Sequence, residues 1–149
     1  MPKLDRFQDQ NFRLTHFQTE VCVVCPQCAK KASTKVNYET NSTRLFCENC
    51  GYNKDKTIES NHFGIKANFK KSANSYFDVS LWYVAPFKND YIWAYNLEHL
   101  TYLENYIAAK QRQSKDRTHF TLLEKLPKFY HEAKNREALL KMIDKLKKK

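Results

Sequence analysis

Residues 25–28 and 47–51 read CPQC and CENCG, two short segments in which a pair of cysteines stands three positions apart. Two residues between cysteines allow one tight turn to present both sulfurs, and the 18 residues between the two turns are enough for a β-hairpin that brings them together. Zinc in a structural site takes four ligands in a tetrahedron, and thiolates bind it at about 2.3 Å. The spacing therefore predicts one structural Zn²⁺ ion held by Cys25, Cys28, Cys47 and Cys50.

Cys22 adds an alternative, because it forms another CxxC pair with Cys25. Val23 and Val24 favour extended backbone, which would hold those two sulfurs apart, whereas Pro26 stiffens the turn that follows Cys25. We therefore interpret Cys22 as a small buried apolar residue, while the pattern leaves open that it replaces a ligand of the first turn. A redox dithiol needs one cysteine pair rather than two, and a four-thiolate site has no open position for catalysis.

The residues around the cysteines have the pattern of β-strands. The segment 21–24 is apolar and β-branched, the segment 33–38 alternates between two faces, and the polar segment 39–43 predicts a turn before 44–47. Gly51 follows the second cysteine pair, where such turns often need a positive φ that glycine adopts without strain. These features predict a β-hairpin that one metal-binding turn precedes and the other follows.

The second half of the chain predicts strands and then a helix. Aromatic and β-branched runs at 77–83 and 91–95 favour two strands, with residues 86–90 as a hairpin loop. Asn96 is a favourable N-cap, and apolar residues follow it at intervals of three and four, so we expect a helix over residues 97–113.

Further helical signals lie near the C-terminal end. Residues 121–124, TLLE, match a capping box, and Pro127 predicts a break after which a new helical turn begins. Asn135 is expected to cap a final helix. The apolar stripe of that helix consists of Leu139, Ile143 and Leu146.

Together these elements predict an α+β fold: an N-terminal zinc ribbon made of β-hairpins, followed by a small antiparallel sheet and two to three packed helices. We expect a lead-in segment at residues 1–20, the zinc ribbon at 21–55, and a small α+β domain with a basic C-terminal helix at 56–149.

The composition excludes several classes of protein. The chain of 149 residues is 42% hydrophobic and 14% aromatic, which is too apolar for a disordered protein. Its only glycines are Gly51 and Gly64, so a glycine-rich phosphate loop is excluded and we expect no nucleotide cofactor. The start at residues 1–6 is charged, and no apolar run approaches the roughly 20 residues that span a bilayer. We expect a cytoplasmic protein without membrane association.

The charge of the chain points to an acidic partner. The formal net charge is +10, and residues 121–149 contain nine Lys and Arg against four Asp and Glu. Nucleic acid, DNA or RNA, is the commonest partner of such a surface, while the alternative is a solvated lysine face that only aids solubility. The candidate nucleic-acid contacts are Lys35, Arg44, Lys141, Lys145, Lys147, Lys148 and Lys149.

We expect no enzymatic activity and no catalytic residues. The five histidines lie without ligand spacing, and no set of acid, base and nucleophile can be assembled from the sequence. Asn96, Glu98 and His99 could meet Tyr95 or Trp93 in the fold, but a role in capping the helix is the simpler account.

The cysteine turns carry a resemblance to a known family. Residues 21–52, with CPQC and CENCG as the two turns, resemble the zinc ribbons of transcription factor IIB, elongation factors and small RNA polymerase subunits. The chain departs from many of these ribbons at Ala29 and Lys30, where they have a glycine. The second half, with WAYNLEHLTYLENYIAAKQR and LPKFYHEAKNREALLKMIDKLKKK, resembles uncharacterised bacterial proteins said to carry a IIB-type ribbon. The resemblance implies contact with polymerase, nucleic acid or other proteins.

Two functions follow from these observations. The leading interpretation is a non-enzymatic adaptor associated with nucleic acid or transcription. The alternative is a protein–protein interaction module that docks on a larger complex through the ribbon or an aromatic surface, without direct nucleic-acid contact. The aromatic residues in question, which more often belong to a core, are Trp82, Tyr83, Trp93 and Tyr95.

Overall fold

A four-stranded antiparallel sheet carries the N-terminal half of the fold. The computed structural model describes residues 6–9, 14–62, 64–68, 71–109, 111–114 and 126–149. After the short strand β1 (Arg6–Asp9) and helix α1 (Leu14–Phe17), the sheet consists in spatial order of β2 (Glu20–Val24), β3 (Lys31–Asn37), β4 (Ser42–Phe46) and β5 (Asn53–Thr57). The α+β prediction is confirmed.

The alternation in β3 decides which face of the sheet is buried. Ala32 and Thr34 point into the core, whereas Ser33 and Lys35 lie on the other face. Thr34 satisfies its buried hydroxyl by donating to the carbonyl of Val21 at 3.0 Å. The predicted hairpin between the cysteine pairs is therefore present, with β3 and β4 as its two strands.

The polar residues that follow the second cysteine turn form strands. β5 pairs with β4 and continues to Thr57, and β6 (Glu59–His62) forms a separate hairpin with β7 (Ile65–Asn68). The predicted division of the chain at residue 55 stays a prediction.

The next strand pair differs from its prediction. β8 (Tyr83–Phe87) pairs with β9 (Asp90–Ala94), so the strand predicted at 77–83 begins only at its last residue, and Pro86 lies inside a strand rather than in the loop. In a two-stranded sheet each strand has an unpaired edge, which tolerates a proline. The residues before β8 pair instead with β2: Val24 N–H donates to the carbonyl of Ser80, and Trp82 N–H to that of Cys22.

The helices cover one face of this strand pair. α2 (Leu97–Ala108) begins after Asn96, whose Oδ1 accepts the N–H of His99 at 2.8 Å, as an N-cap should. It ends five residues earlier than predicted, because the backbone of Ala109 is extended and the chain continues into β10 (Gln111–Ser114), which pairs in parallel with β1.

The last helix, α3 (Arg136–Lys147), buries the predicted stripe of Leu139, Ile143 and Leu146. Asn135 precedes it but makes no side-chain cap; its amide donates to the carbonyl of Phe129 instead. Pro127 stands just before a 3₁₀ turn, Lys128–Tyr130. The predicted capping box at 121–124 lies outside the described residues.

Two buried clusters meet along β2. One contains the inner face of the ribbon, with Val21, Val23 and Leu45, and the other lies between the helices and the β8–β9 pair. Cys22 N–H donates to the carbonyl of Tyr95 at 2.6 Å, and Tyr95 packs against both clusters. In the described part of the chain, no helix has the length and apolar character needed to cross a membrane.

Candidate metal centre and basic sheet face

The two cysteine turns have the same backbone hydrogen bonds. In the first, Cys25 N–H donates to the carbonyl of Lys30, and Ala29 N–H donates to the carbonyl of Cys25, at 2.8 and 2.9 Å. In the second, the corresponding bonds join Cys47 with Tyr52 and Gly51 with Cys47, at 2.8 and 2.9 Å. Each turn follows one strand of the ribbon and leads into the next, so the sheet holds both turns at the same end.

The four predicted ligands converge. Their Sγ atoms all lie within 4.8 Å of one another, with 3.7 Å between Cys25 and Cys50 and 3.6 Å between Cys28 and Cys47. Sulfurs around a tetrahedral zinc ion with bonds of about 2.3 Å are separated by about 3.8 Å, which is close to the two shorter distances, so this donor set suits zinc. The structure thus contains a cysteine cluster able to bind one zinc ion.

The polar surroundings of the cluster favour thiolates. The backbone N–H groups of Gln27 and Cys28 point at the Cys25 sulfur at 3.4 and 3.5 Å, and the Asn49 amide donates to Cys28 at 3.5 Å. Such donors compensate part of the negative charge on sulfur and orient it for a metal.

The second cysteines of the two turns, Cys28 and Cys50, differ in the pKa of their thiols. A backbone hydrogen bond from Lys30 lowers the pKa of Cys28 to about 6. The hydrogen bond from Tyr52 acts in the same direction on Cys50, but desolvation and the neighbouring thiols together raise the pKa of Cys50 to about 12. Metal binding at neutral pH therefore displaces protons from the cluster, as expected for a thiolate site.

Cys22 does not belong to this cluster, which among the residues that the structure describes consists of the other four cysteines. Its side chain is half-buried and packs against the buried cluster between the helices and the β8–β9 pair. Burial raises the pKa of the thiol. These features agree with the interpretation of Cys22 as a small core residue rather than a ligand or a reactive thiol.

The first cysteine turn has an alanine, Ala29, at the position where the second turn has a glycine. Ala29 adopts φ +63°, and Gly51 at the equivalent position adopts φ +81°. An L-residue in this region is strained by about 1–2 kcal/mol relative to glycine, so the first turn stores strain that the second lacks.

We expect opposite effects from exchanging these two residues. Ala29→Gly should raise the free energy of unfolding by about 0.5–1 kcal/mol, and Gly51→Ala should lower it by about 1–2 kcal/mol. An added Cβ at Gly51 meets no atom within 4 Å, so the loss would come from the backbone alone. Urea unfolding of the zinc-loaded protein measures both changes, and a shift of the same sign in the two variants would contradict this account.

The four-stranded sheet β2–β5, called the ribbon sheet below, has one face packed on the core and one face exposed. The exposed face carries a row of four charged residues. Glu20, Lys35, Arg44 and Asp55 stand opposite one another on four successive strands. The outer pairs, Lys35 with Glu20 and Arg44 with Asp55, are both 3.8 Å apart and more than half exposed. Pairs of that kind contribute little to stability. The register also makes the two cations, Lys35 and Arg44, direct cross-strand neighbours at the centre of the face.

Phe46 lies beside these cations and was not among the contacts predicted from the sequence. It stands opposite Ser33, two register positions from the Lys35–Arg44 pair and on the same face, and is 39% exposed; the Arg44 guanidinium is 5.7 Å from the centre of its ring. Ser33, Lys35, Arg44 and Phe46 line a shallow groove of about 330 Å³. The sequence alone could have indicated Phe46, because Arg44 and Phe46 stand two positions apart on one strand and so share a face.

Most of the candidate contact lysines in α3 and directly after it bind groups of the same chain. Lys147 reaches Glu104 on α2 at 2.6 Å, and Lys141 and Lys148 each pair with a carboxylate one turn earlier. Lys149 donates to the carbonyl of Trp82 and lies 4.4 Å from the centre of its indole ring. Lys145 is exposed. These lysines are separated from the sheet face in sequence, and their role in binding stays a prediction.

Among the polar residues at the start of α2, His99 contacts Tyr95 and Trp93, whereas Glu98 pairs with a histidine of α1 at 3.1 Å. The ring of His99 is 1% exposed and stacks on Phe17 at 4.7 Å, and its Nδ1 accepts the N–H of Tyr95 at 3.0 Å. Burial lowers the pKa of His99 to about 4. A neutral imidazole of this kind packs and accepts a hydrogen bond, and within this group the helix is capped by Asn96.

Comparison of the chain with protein-family models, curated proteins and solved structures gave no match. The grouping of the four cysteines is consistent with a zinc ribbon. The resemblance to the transcription factor IIB type stays an interpretation of the sequence.

Proposed function

We propose that this protein is a non-enzymatic zinc-ribbon adaptor that binds nucleic acid through the exposed face of its ribbon sheet, in a process related to transcription. One observation supports this most: Lys35 and Arg44 are direct cross-strand neighbours on an open face. Like charges in that position repel each other and destabilise a sheet. A phosphate group bound between them would remove the repulsion.

The weakness of the existing ion pairs favours such a ligand. Glu20 and Asp55 lie at 3.8 Å from their partners and remain largely exposed, so they neutralise the two cations only in part. A phosphate can accept charge-assisted hydrogen bonds from an arginine and a lysine at once, at shorter distances. The free energy gained when a phosphate binds both cations would therefore exceed the free energy lost when the ion pairs with Glu20 and Asp55 are broken.

The zinc site supports this role by holding the hairpin that displays the cations. Cys25 and Cys28 precede β3, and Cys47 and Cys50 follow β4, so one ion would join the two strands at the same end. A small sheet gains rigidity from such a link, which fixes the spacing between Lys35 and Arg44.

Binding of labelled oligonucleotides tests the proposal. We expect affinity that falls steeply with salt, and the double variant Lys35→Gln/Arg44→Gln should bind about tenfold or more weakly. Because this variant lacks both cations that bind phosphate, the slope of log affinity against log salt should shrink by about 1.4 for a single strand. Fluorescence anisotropy over a salt series measures both quantities.

A matched control is the double variant Lys54→Gln/Lys56→Gln. It removes the same charge from the same sheet, but these residues stand at the alternate register positions of β5, opposite Leu45 and Thr43. We expect it to bind almost as well as the unmodified protein. Equal losses in the two double variants would contradict binding at the face of Lys35, and absence of any salt-sensitive binding would contradict the nucleic-acid function.

A second candidate is docking on a protein, favoured by the outer face of the β8–β9 pair. Val84 stands opposite Trp93, and Pro86 opposite Tyr91, which is 60% exposed. A chain that binds no oligonucleotide but retains a protein partner after nuclease treatment would support this function instead.

A further inference from the structure

We propose that the face of the four-stranded sheet that carries Lys35, Arg44 and Phe46, which we call the basic sheet face, recognises single-stranded nucleic acid. One base stacks on Phe46, and the adjoining phosphate is held between Lys35 and Arg44. This inference rests on the proposed function and adds to it the class of nucleic acid and the residue that selects it. RNA and DNA single strands share the chemistry in question, and separate probes distinguish them.

Phe46 offers a ring in the place where a base would arrive. Its neighbours across the strands are small or polar, Ser33 on one side and Asn53 on the other, and its ring remains 39% exposed. It directly precedes Cys47, which is fully buried in the metal site. The backbone that carries the ring is therefore anchored, and a rigid aromatic platform loses little entropy when a base stacks on it.

The charge pattern limits the width of the ligand. Strands lie about 4.8 Å apart, so the carboxylates of Glu20 and Asp55 flank the two cations at about one strand spacing on each side. The positive strip on this face is thus wide enough for one phosphate backbone running along β3 and β4. A duplex, which presents two backbones, would bring phosphates against the flanking carboxylates.

The availability of bases favours a single strand for a second reason. In a duplex the bases are stacked on each other and expose only their edges in the grooves, whereas a single strand can place a base on an aromatic ring. The groove beside Phe46 is shallow and lined by strand residues, and the four residues that line it include no helical one. Reading of base edges by a helix in the major groove has no basis on this face.

Four probes of equal length test the inference by fluorescence anisotropy: a single-stranded RNA, a single-stranded DNA, the corresponding DNA duplex, and a DNA strand with abasic sites throughout. We expect the single strands with bases to bind about tenfold tighter than the duplex. Phe46→Leu, which keeps an apolar side chain, should weaken their binding about five- to 100-fold and leave the abasic and duplex probes unchanged. Phe46→Tyr should restore the affinity, because it keeps the stacking surface.

Tyr91→Leu is the matched control, since it removes another exposed aromatic ring from a strand outside the ribbon sheet. It should change none of the affinities. If Phe46→Leu weakens the abasic probe as much as the others, the ring acts only by supporting Arg44 and the inference is overturned. If Lys35→Gln/Arg44→Gln weakens all probes while Phe46→Leu affects none, the proposed function stands and the stacking inference fails. Both fall if no probe binds.

Discussion

Replacing Cys47 by serine should unfold the four-stranded sheet and abolish stoichiometric zinc binding. Cys47 is 0% exposed, and its sulfur lies 3.6 Å from that of Cys28 in the ligand cluster. Structural zinc in small modules contributes about 10–16 kcal/mol at neutral pH, which equals or exceeds the total stability of most domains. A serine hydroxyl is a poor zinc ligand, so the variant loses most of that contribution.

Metal analysis and circular dichroism of the purified proteins measure the effect. The unmodified chain should contain one zinc ion, and a strong chelator should reproduce the loss of structure seen in Cys47→Ser. The control is Cys22→Ser, which removes a cysteine outside the cluster and should retain one zinc ion. Zinc retained in Cys47→Ser but lost in Cys22→Ser would make Cys22 the ligand, and an unmodified chain without zinc would overturn the site.

The second large effect is a loss of stability in mild acid caused by His99. Its pKa lies at about 4 in the folded protein, against an ordinary value of 6.5, because burial disfavours the charged ring. Well above pH 6.5 the ring is neutral in both the folded and the unfolded protein, so it does not reduce the free energy of unfolding. Below pH 6.5 the unfolded chain binds a proton that the folded chain does not, so stability falls until the folded ring also titrates near pH 4. The loss should be about 2 kcal/mol at pH 5 and about 3 kcal/mol near pH 4.

Comparison with His99→Gln isolates the contribution of His99 to this loss of stability. Acid also protonates the cysteine ligands, but both proteins share the metal site, so the difference between their pH profiles reports His99 alone. Glutamine has an acceptor for the N–H of Tyr95 and does not titrate. Urea unfolding between pH 7.5 and pH 5 should show a steeper decline in the unmodified protein. Parallel profiles in the two proteins would mean that His99 is protonated or solvated in the fold.

The sequence predicted the features whose causes are local. The four ligands followed from the spacing of two CxxC turns, and the hairpin between them followed from alternation in a stretch bounded by a polar turn. Asn96 was recognised as an N-cap and the stripe of Leu139, Ile143 and Leu146 as a buried face, because both depend on residues within a few turns of one helix.

Elements that depend on distant partners were placed less well. The strand expected at 77–83 starts at Tyr83, because the residues before it pair with β2 rather than with a neighbouring hairpin strand. The helix after Asn96 ends at Ala108, where the chain turns to pair with β1, a partner about 100 positions earlier. Periodicity within a segment contains no information about such partners.

For the metal site, the sequence by itself singled out the four cysteines that the structure brings together, because two CxxC turns at hairpin separation supply the four ligands that a structural zinc ion takes. For the surface, only the tertiary structure decided the outcome. Lys35, Arg44 and Phe46 form one patch because the β3–β4 register sets Lys35 opposite Arg44, while most of the lysines in and directly after α3 bind partners within the chain. Cross-strand register and contacts between distant elements determine which charges remain available, and a net charge of +10 does not specify them.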